Sequence, residues 1–266
     1  QLKNNFNENK ILNADYILIT HAYGIPQNSN TLETILKLNK KIILIEDISH
    51  SQGATNKNKM VIARSAASFM SMQGDKAINA GEGGVIITNS DEVYKKVIYL
   101  SHLNRKTLPE NNLNSLSTIG FIGKGRMNPL GAITATSDIK NLNKRNKILR
   151  KKMQIIYDGF KKFDNIHIPQ IDDFENTGGF HYGFPFFCDS ETRLINLKKI
   201  FQILKYNWPF LDANENFHDP NKFLELIYND NLMINNVFEK VNDIRDQLYF
   251  FSLKEIKNLN EQEIKK

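Results

Sequence analysis

Three short stretches of this chain bring together residue types that do chemistry: a carboxylate, a hydroxyl and a primary amine. Glu46-Asp47-Ile48-Ser49-His50 follows directly on the apolar run Lys41-Ile42-Ile43-Leu44-Ile45. Ser68-Phe69-Met70-Ser71-Met72-Gln73-Gly74-Asp75-Lys76 comes next, and Gly81-Glu82-Gly83-Gly84 completes the set ahead of Val85-Ile86-Ile87-Thr88. An acid at the carboxyl end of a buried parallel strand lies where open α/β sheets place their ligands. A lysine attacks a carbonyl only as the neutral amine, which requires a site that works against its ordinary pKa of about 10.4. Each stretch also has a plainer reading when taken singly. Asp47 starts a turn, Lys76 is a surface lysine, and the glycines make a hairpin.

The elements that must position these residues read as alternating strands and helices. Residues 16–20 are a compact apolar run and a buried strand. Residues 21–28, with Gly24 and Pro26, form a loop, and Ser29 or Asn30 caps a helix that runs to about residue 40. Residues 41–45 are a second buried strand. Strand, helix, strand with short loops is a βαβ unit, which implies parallel strands. Shorter strands are expected at 66–70 and 84–88, a helix at 91–102, a loop at 106–124 and a long helix from Pro129 to about residue 163. Beyond Pro169 the pattern changes to a strand over 180–187, a helix over 191–204 and a mostly helical tail from 221. This places a domain boundary near 165, giving domains 1–165 and 166–266.

Composition sets limits. Of the 266 residues 41% are apolar and 24% charged, ordinary values for a globular protein. No apolar run approaches the ~20 residues that cross a bilayer, and the polar first residues do not read as a signal peptide. The single cysteine, Cys188, excludes an internal disulfide, fits the cytoplasm and reads as a small buried hydrophobe. No metal-binding cluster is expected. The net charge of +6 and pI near 9.1 raise the question of nucleic acid, but the lysines are scattered. The densest stretch, Lys144-Arg145-Asn146-Lys147 with Arg150-Lys151-Lys152, reads as a solvated helix face. Neither nucleic acid nor membrane is expected as a partner, and a basic surface also suits an anionic small substrate.

The order of the three stretches changes the weight of each. Glu-Asp-x-x-His, then Ser-x-x-x-x-Lys, then Gly-Glu-Gly-Gly-x-x-x-Thr resembles the DegT/DnrJ/StrS family of pyridoxal-phosphate (PLP) sugar aminotransferases. His21-Ala22-Tyr23-Gly24 resembles that family's His-x-x-Gly after a strand. Gly123-Lys124-Gly125-Arg126-Met127-Asn128-Pro129-Leu130 resembles its Arg-Met segment before a long helix. The likeness covers about residues 10–165, and His181-Tyr182-Gly183-Phe184-Pro185 carries it weakly further. It implies an α/β fold: a partial type I PLP-transferase large domain with a mostly parallel sheet, plus a smaller α+β carboxyl-terminal domain.

The resemblance also implies roles. Lys76 would be the Schiff-base lysine and would afterwards shuttle a proton between substrate and cofactor. Asp47 would face the pyridine nitrogen and keep it protonated, so that the ring acts as an electron sink. Two unit charges ~4 Å apart at an effective dielectric of ~20 interact by about 4 kcal/mol, enough to fix a protonation state at neutral pH. His50 would lie near the cofactor ring or its phenolic oxygen, and Ser71 would bond the cofactor phosphate. Lys124 and Arg126 fall where family members reach a neighbouring subunit, so a homodimer with shared sites is implied. Gly81 to Gly84 would allow a tight turn beside Lys76.

Family members are longer at the amino end, where a Ser-Gly-Thr segment holds the phosphate, and no equivalent lies in this chain. The expectation is therefore an amino-terminally truncated member with an incomplete sheet and an exposed apolar edge. The substrate reading is a nucleotide-linked keto sugar in amino-sugar or surface-polysaccharide biosynthesis. The alternatives are an inositol-like, aminohydroxybenzoate-type or small phosphorylated ketone substrate, or a catalytically silent fragment. Members that dehydrate sugars carry histidine in place of the lysine, so Lys76 argues against dehydration.

Overall fold

Branched aliphatic residues flanked by turn formers build the central sheet. In the structure, a computed structural model, β1 (Tyr16–Thr20) and β2 (Ile43–Asp47) run parallel and pair from Tyr16–Ile43 to Thr20–Asp47. Between them lies α1 (Ser29–Leu38), whose first turn is capped by the Asn28 side chain accepting from Asn30 N–H at 2.8 Å. Leu32 and Ile35 of α1 are buried, and Ile35 packs with Ile11 and Ile42. The structure describes residues 11–56, 59–61, 65–101, 125–164, 166–188, 199, 210–212, 248–251 and 260–265.

The second strand starts and ends two residues later than the sequence suggested. Lys41 and Ile42 are used to close the turn after α1, where both amides bond to Asn39. Asp47 is consequently the last residue of β2. It is held in the ladder between Thr20 and Phe69, and its carbonyl accepts from His21 N–H at 2.9 Å.

After the short antiparallel pair β3 (Thr55–Asn56) and β4 (Lys59–Met60), β5 (Ala67–Ser71) joins β2 in parallel, and β6 (Gly84–Ile87) joins β5 antiparallel. The sheet order is β1-β2-β5-β6. Side chains alternate across it. Leu44, Glu46 and Ser68 are buried on one face. By register, Tyr16, Leu18, Ile43 and Ile86 share the other face, where they are 63%, 59%, 39% and 51% exposed. That apolar face carries Asp47 and Ser71 at its carboxyl end.

Two helices follow: α2 (Asp91–Ser101), with Tyr99 buried, and α3 (Pro129–Phe160). Proline opens α3 where its missing N–H costs nothing, and Asn128 accepts from Leu130 N–H at 2.9 Å. Ala135, Leu142, Asn146, Leu149, Met153 and Tyr157 recur at helical spacing and are buried. Arg145 and Asn146 turn inward rather than joining a solvated basic face, while Lys144, Lys147 and Lys151 are exposed.

The chain divides into two compact units, residues 2–148 with 173–181 and residues 149–172 with 182–266. The second contains the sheet β7-β8-β10-β9, all antiparallel, from β7 (Ile166–His167), β8 (Phe184–Cys188), β9 (Phe210–Asp212) and β10 (Leu248–Phe251). The expected strand from 180 begins only at Phe184, because Phe180 (φ 50°) and Gly183 (φ 75°) take left-handed conformations that no strand accommodates. Leu-Tyr-Phe-Phe at 248–251 is a strand in a tail that read as mostly helical, and aromatic residues favour that state. A last short helix, α4 (Glu261–Lys265), is capped by Asn260. The helix expected at 191–204 lies outside the described residues except for residue 199, which is helical. Cys188 is buried and forms no disulfide among the described residues. Among the described residues no helix is long and apolar enough to cross a membrane, and no cluster of potential metal ligands occurs.

Candidate active site at the carboxyl ends of β2 and β5

Asp47 and Ser71 end two adjacent parallel strands, on the same face of the sheet. Asp47 accepts Ser49 N–H at 2.9 Å on Oδ1, which bends the chain into a turn directly after β2. Ser49, one strand over, accepts the Ser71 N–H on its Oγ at 2.9 Å. The Ser71 hydroxyl in turn accepts Gln73 N–H at 3.3 Å, opening the loop to Lys76. The Lys76 N–H closes a turn onto the Gln73 carbonyl at 2.9 Å, and its side chain is half-buried.

His50 is where these groups converge electrostatically. Burial lowers its pKa below the ordinary value, and the Lys76 charge lowers it further, while Asp47 and Asp75 pull the other way. One imidazole thus feels the charges of both Lys76 and Asp47. Its Nδ1 accepts the Tyr23 N–H at 3.4 Å, and the two rings lie tilted with centroids 5.7 Å apart. Tyr23 takes a left-handed φ of 55°, rare for an aromatic residue. Burial pushes its phenol up to about 12.

Behind the sheet end lies a buried pair, His21 and Glu46, with Nε2 and Oε1 3.2 Å apart. His21 Nδ1 accepts Gln27 N–H at 2.9 Å, so the donor facing Glu46 is Nε2–H. Ser51 Oγ donates to the His21 carbonyl at 2.7 Å, tying the loop after β1 to the loop after β2.

Gly81 (φ 76°) and Gly83 (φ 140°) carry the left-handed turn between Lys76 and β6. An open groove of about 770 Å³ lies beyond this turn, between Gly81-Glu82 and the first turns of α3. Arg126 is exposed just ahead of α3. Lys124 lies outside the described residues.

Ser49, Gln52, Thr134, Asp138 and Arg145, absent from the sequence-based site, also bond to this region. Of these only Ser49 carried a signal, as a hydroxyl within the strand-end turn. The others reach backbone atoms far away in sequence, which no local pattern announces.

The chain matches the DegT/DnrJ/EryC1/StrS aminotransferase family over residues 7–265, and it belongs to that family. It is 25% identical over 173 residues to the L-glutamine:2-deoxy-scyllo-inosose aminotransferase of Streptomyces lividus, covering 63% of this chain and 40% of that protein. It is 29% identical over 175 residues to the UDP-4-amino-4,6-dideoxy-N-acetyl-beta-L-altrosamine transaminase of Campylobacter jejuni, covering 62% and 44% respectively. The matched segments thus span less than half of these curated relatives. The fold is that of the GDP-4-keto-6-deoxy-D-mannose-3-dehydratase of E coli solved with bound hydrated PLP. The TM-score is 0.64 at 18% identity, covering 90% of this chain and 63% of that one. The architecture is accordingly the α/β type I fold of PLP enzymes.

Proposed function

We propose that this protein is a PLP-dependent aminotransferase that moves an amino group onto a keto sugar, with Lys76 as the attachment lysine. The observation that carries the reading is that Asp47 and Ser71 end adjacent parallel strands on one face, and that His50, beside Asp47, feels the charges of both Asp47 and Lys76.

The residues present suit the cofactor. Asp47 has one oxygen engaged by Ser49 N–H, and its Oδ2 has no hydrogen-bond partner among the described residues. It is therefore available to a pyridine N–H. Ser71 offers a hydroxyl at the opening of the lysine loop, where a phosphate oxygen would bond. When bound, PLP supplies an aldehyde and an electron-accepting ring. The rest falls to the chain. Lys76 Nζ would hold the cofactor and would move a proton at the substrate carbon, and Asp47 would keep the ring nitrogen protonated. Burial and the Lys76 charge favour uncharged His50, whose ring borders the same space.

Arg126, with Lys124, is proposed to reach a second copy of the chain. Leu130 and Ile133, 72% and 67% exposed at the start of α3, are the apolar surface that a homodimer would cover. Sedimentation equilibrium tests this, and a monomer at all concentrations would count against it.

The acceptor is proposed to be a nucleotide-linked keto sugar, as the name of the Campylobacter relative suggests. A cyclic polyol ketone is the second reading, because the Streptomyces relative acts on an inosose by name. Product mass from a panel of keto acceptors separates the two. The reading as a whole is tested by reducing the PLP-treated protein with borohydride and mapping the labelled peptide. The label is expected on Lys76, and a label elsewhere, or none, overturns the assignment.

A further inference from the structure

The loop that carries Lys76 is held by side chains from outside it. Lys76 is followed by three residues whose backbones are each pinned from a distance. Arg145 Nη2 donates to the Ala77 carbonyl at 2.6 Å, across 68 positions in sequence. The Ile78 N–H donates to Gln52 Oε1 at 2.7 Å, across 26. The Asn79 N–H donates to Asp138 Oδ2 at 3.0 Å, across 59. Thr134 Oγ1 donates to the Asn79 carbonyl at 3.0 Å, and the Ala80 N–H returns to the Met72 carbonyl at 2.8 Å.

The side chains are themselves fixed. Gln52 is 1% exposed, and its Nε2 donates to the Ser71 carbonyl at 2.8 Å while Oε1 accepts from Ile78. Flipping the carboxamide would set donor against donor and acceptor against acceptor, so one orientation is imposed. The Gln52 carbonyl accepts Asn146 Nδ2 at 2.8 Å, which ties this strut to α3. On α3, Arg145 Nη1 and Asp138 Oδ1 are 2.7 Å apart, so the two arms that grip Ala77 and Asn79 also grip each other.

We propose that Gln52, Asp138 and Arg145 are positioning residues for Lys76, a three-armed clamp that fixes the lysine loop relative to Ser71. Gln52 spans both ends of the relation: it holds the Ser71 carbonyl with one atom and the Ile78 amide, two residues past Lys76, with the other. Lysine has a long, flexible stem, so the place its amine can reach depends on where its backbone is anchored. A displacement of about 1 Å at a reacting group can cost ~100-fold in rate. The inference rests on the reading of Lys76 as the attachment lysine, but the clamp itself is testable without cofactor.

The test is amide hydrogen exchange of the full chain without PLP, compared between wild type, Gln52→Leu, Asp138→Ala and Asp138→Asn. Gln52→Leu is expected to speed exchange at Ile78 by about 3-fold to 10-fold, the range for losing one neutral hydrogen bond, and Asp138→Ala to speed exchange at Asn79 by about 10-fold to 100-fold, because the acceptor lost there is a carboxylate. Peptides of β1 and β2 should be unchanged. Asp138→Asn keeps an acceptor for Asn79 and should restore most of the protection. In the presence of PLP, the rate of borohydride capture on Lys76 should fall by ~10-fold or more in Gln52→Leu. Unchanged exchange at Ile78 and Asn79 overturns the proposal. So does faster exchange spread evenly over the sheet, which marks a role in global stability. Capture at the wild-type rate in Gln52→Leu overturns it as well. If wild type captures no cofactor on Lys76 while the exchange pattern is as expected, the clamp stands and the assignment of Lys76 fails.

Discussion

Ser49 and Ser71 are joined across the ends of neighbouring parallel strands: the Ser71 N–H donates to Ser49 Oγ at 2.9 Å. β2 delivers Asp47 and β5 delivers Ser71, so this one bond locks together the two groups proposed to hold opposite ends of the cofactor. Ser49→Ala leaves a part-buried amide without its acceptor, which costs about 1–3 kcal/mol. Thermal unfolding should shift down by several degrees, and Ser49→Thr, which keeps the acceptor, should recover most of that. A Ser49→Ala protein with unaltered unfolding would show that the strand ends are held by other contacts.

Asp47→Asn should separate cofactor binding from chemistry. The substitution keeps size and an acceptor for Ser49 N–H but removes the charge that holds a proton on a ring nitrogen. With about 4 kcal/mol at stake between unit charges ~4 Å apart, the turnover number should fall by ~100-fold or more. Borohydride should still place PLP on Lys76. A variant with near-wild-type turnover would mean that Asp47 does not face the ring.

The placement of Asp47 and Ser71 at strand ends was legible because an apolar run that stops at polar residues leaves a local mark, whereas Lys76 stood out only through the family resemblance. The turn at Gly81 and Gly83 was legible from the glycines themselves, and both take positive φ. Gln52, Asp138 and Arg145 were not. Their partners are backbone atoms 26, 59 and 68 positions away, and backbone atoms are the same in every residue. Arg145 was also hidden by its company, since a stretch rich in lysine and arginine reads as solvated while only Lys144, Lys147 and Lys151 of it are fully so. The strand at 248–251 was missed because four apolar residues fit a helix or a strand equally until a partner strand decides.

The titration of His50 offers a test of the electrostatic convergence that needs no substrate. Its pKa is lowered in the folded protein, first by burial and then by Lys76. Between that value and the unfolded pKa near 6.5, the unfolded chain binds the extra proton, so stability rises with pH through this window. The contribution is fully present above about 6.5 and is lost as pH falls toward the folded value. His50→Gln should flatten the acid side of the stability profile. In the cofactor-free protein, Lys76→Met should raise the His50 midpoint and Asp47→Asn should lower it, as followed by ring-proton NMR. Shifts of the opposite sign, or none, would place those charges away from the imidazole.

Gly131 gives a prediction whose sign runs against helix propensity. It lies in the first turn of α3, where alanine is favoured over glycine by up to about 1 kcal/mol. A methyl group there would overlap the Ala80 carbonyl oxygen and press on the Ala80 carbonyl carbon and Cβ at 3.2 and 3.3 Å. Those atoms belong to the far end of the lysine loop, and the oxygen is backbone, which yields far less readily than a side chain. Gly131→Ala should therefore lower stability by about 1–3 kcal/mol, as overpacking does, and should loosen the Ala80 N–H bond to the Met72 carbonyl. Gly83→Ala provides the contrast. Its added methyl meets only the Met127 side chain, Cε at 3.2 Å and Cγ at 3.5 Å, so its cost should come chiefly from the φ of 140° and leave the Ala80 amide protected. Urea unfolding and hydrogen exchange at Ala80 measure both effects. A Gly131→Ala protein more stable than wild type would show that α3 does not rest against the loop, and would remove the support on which Asp138 and Arg145 grip it.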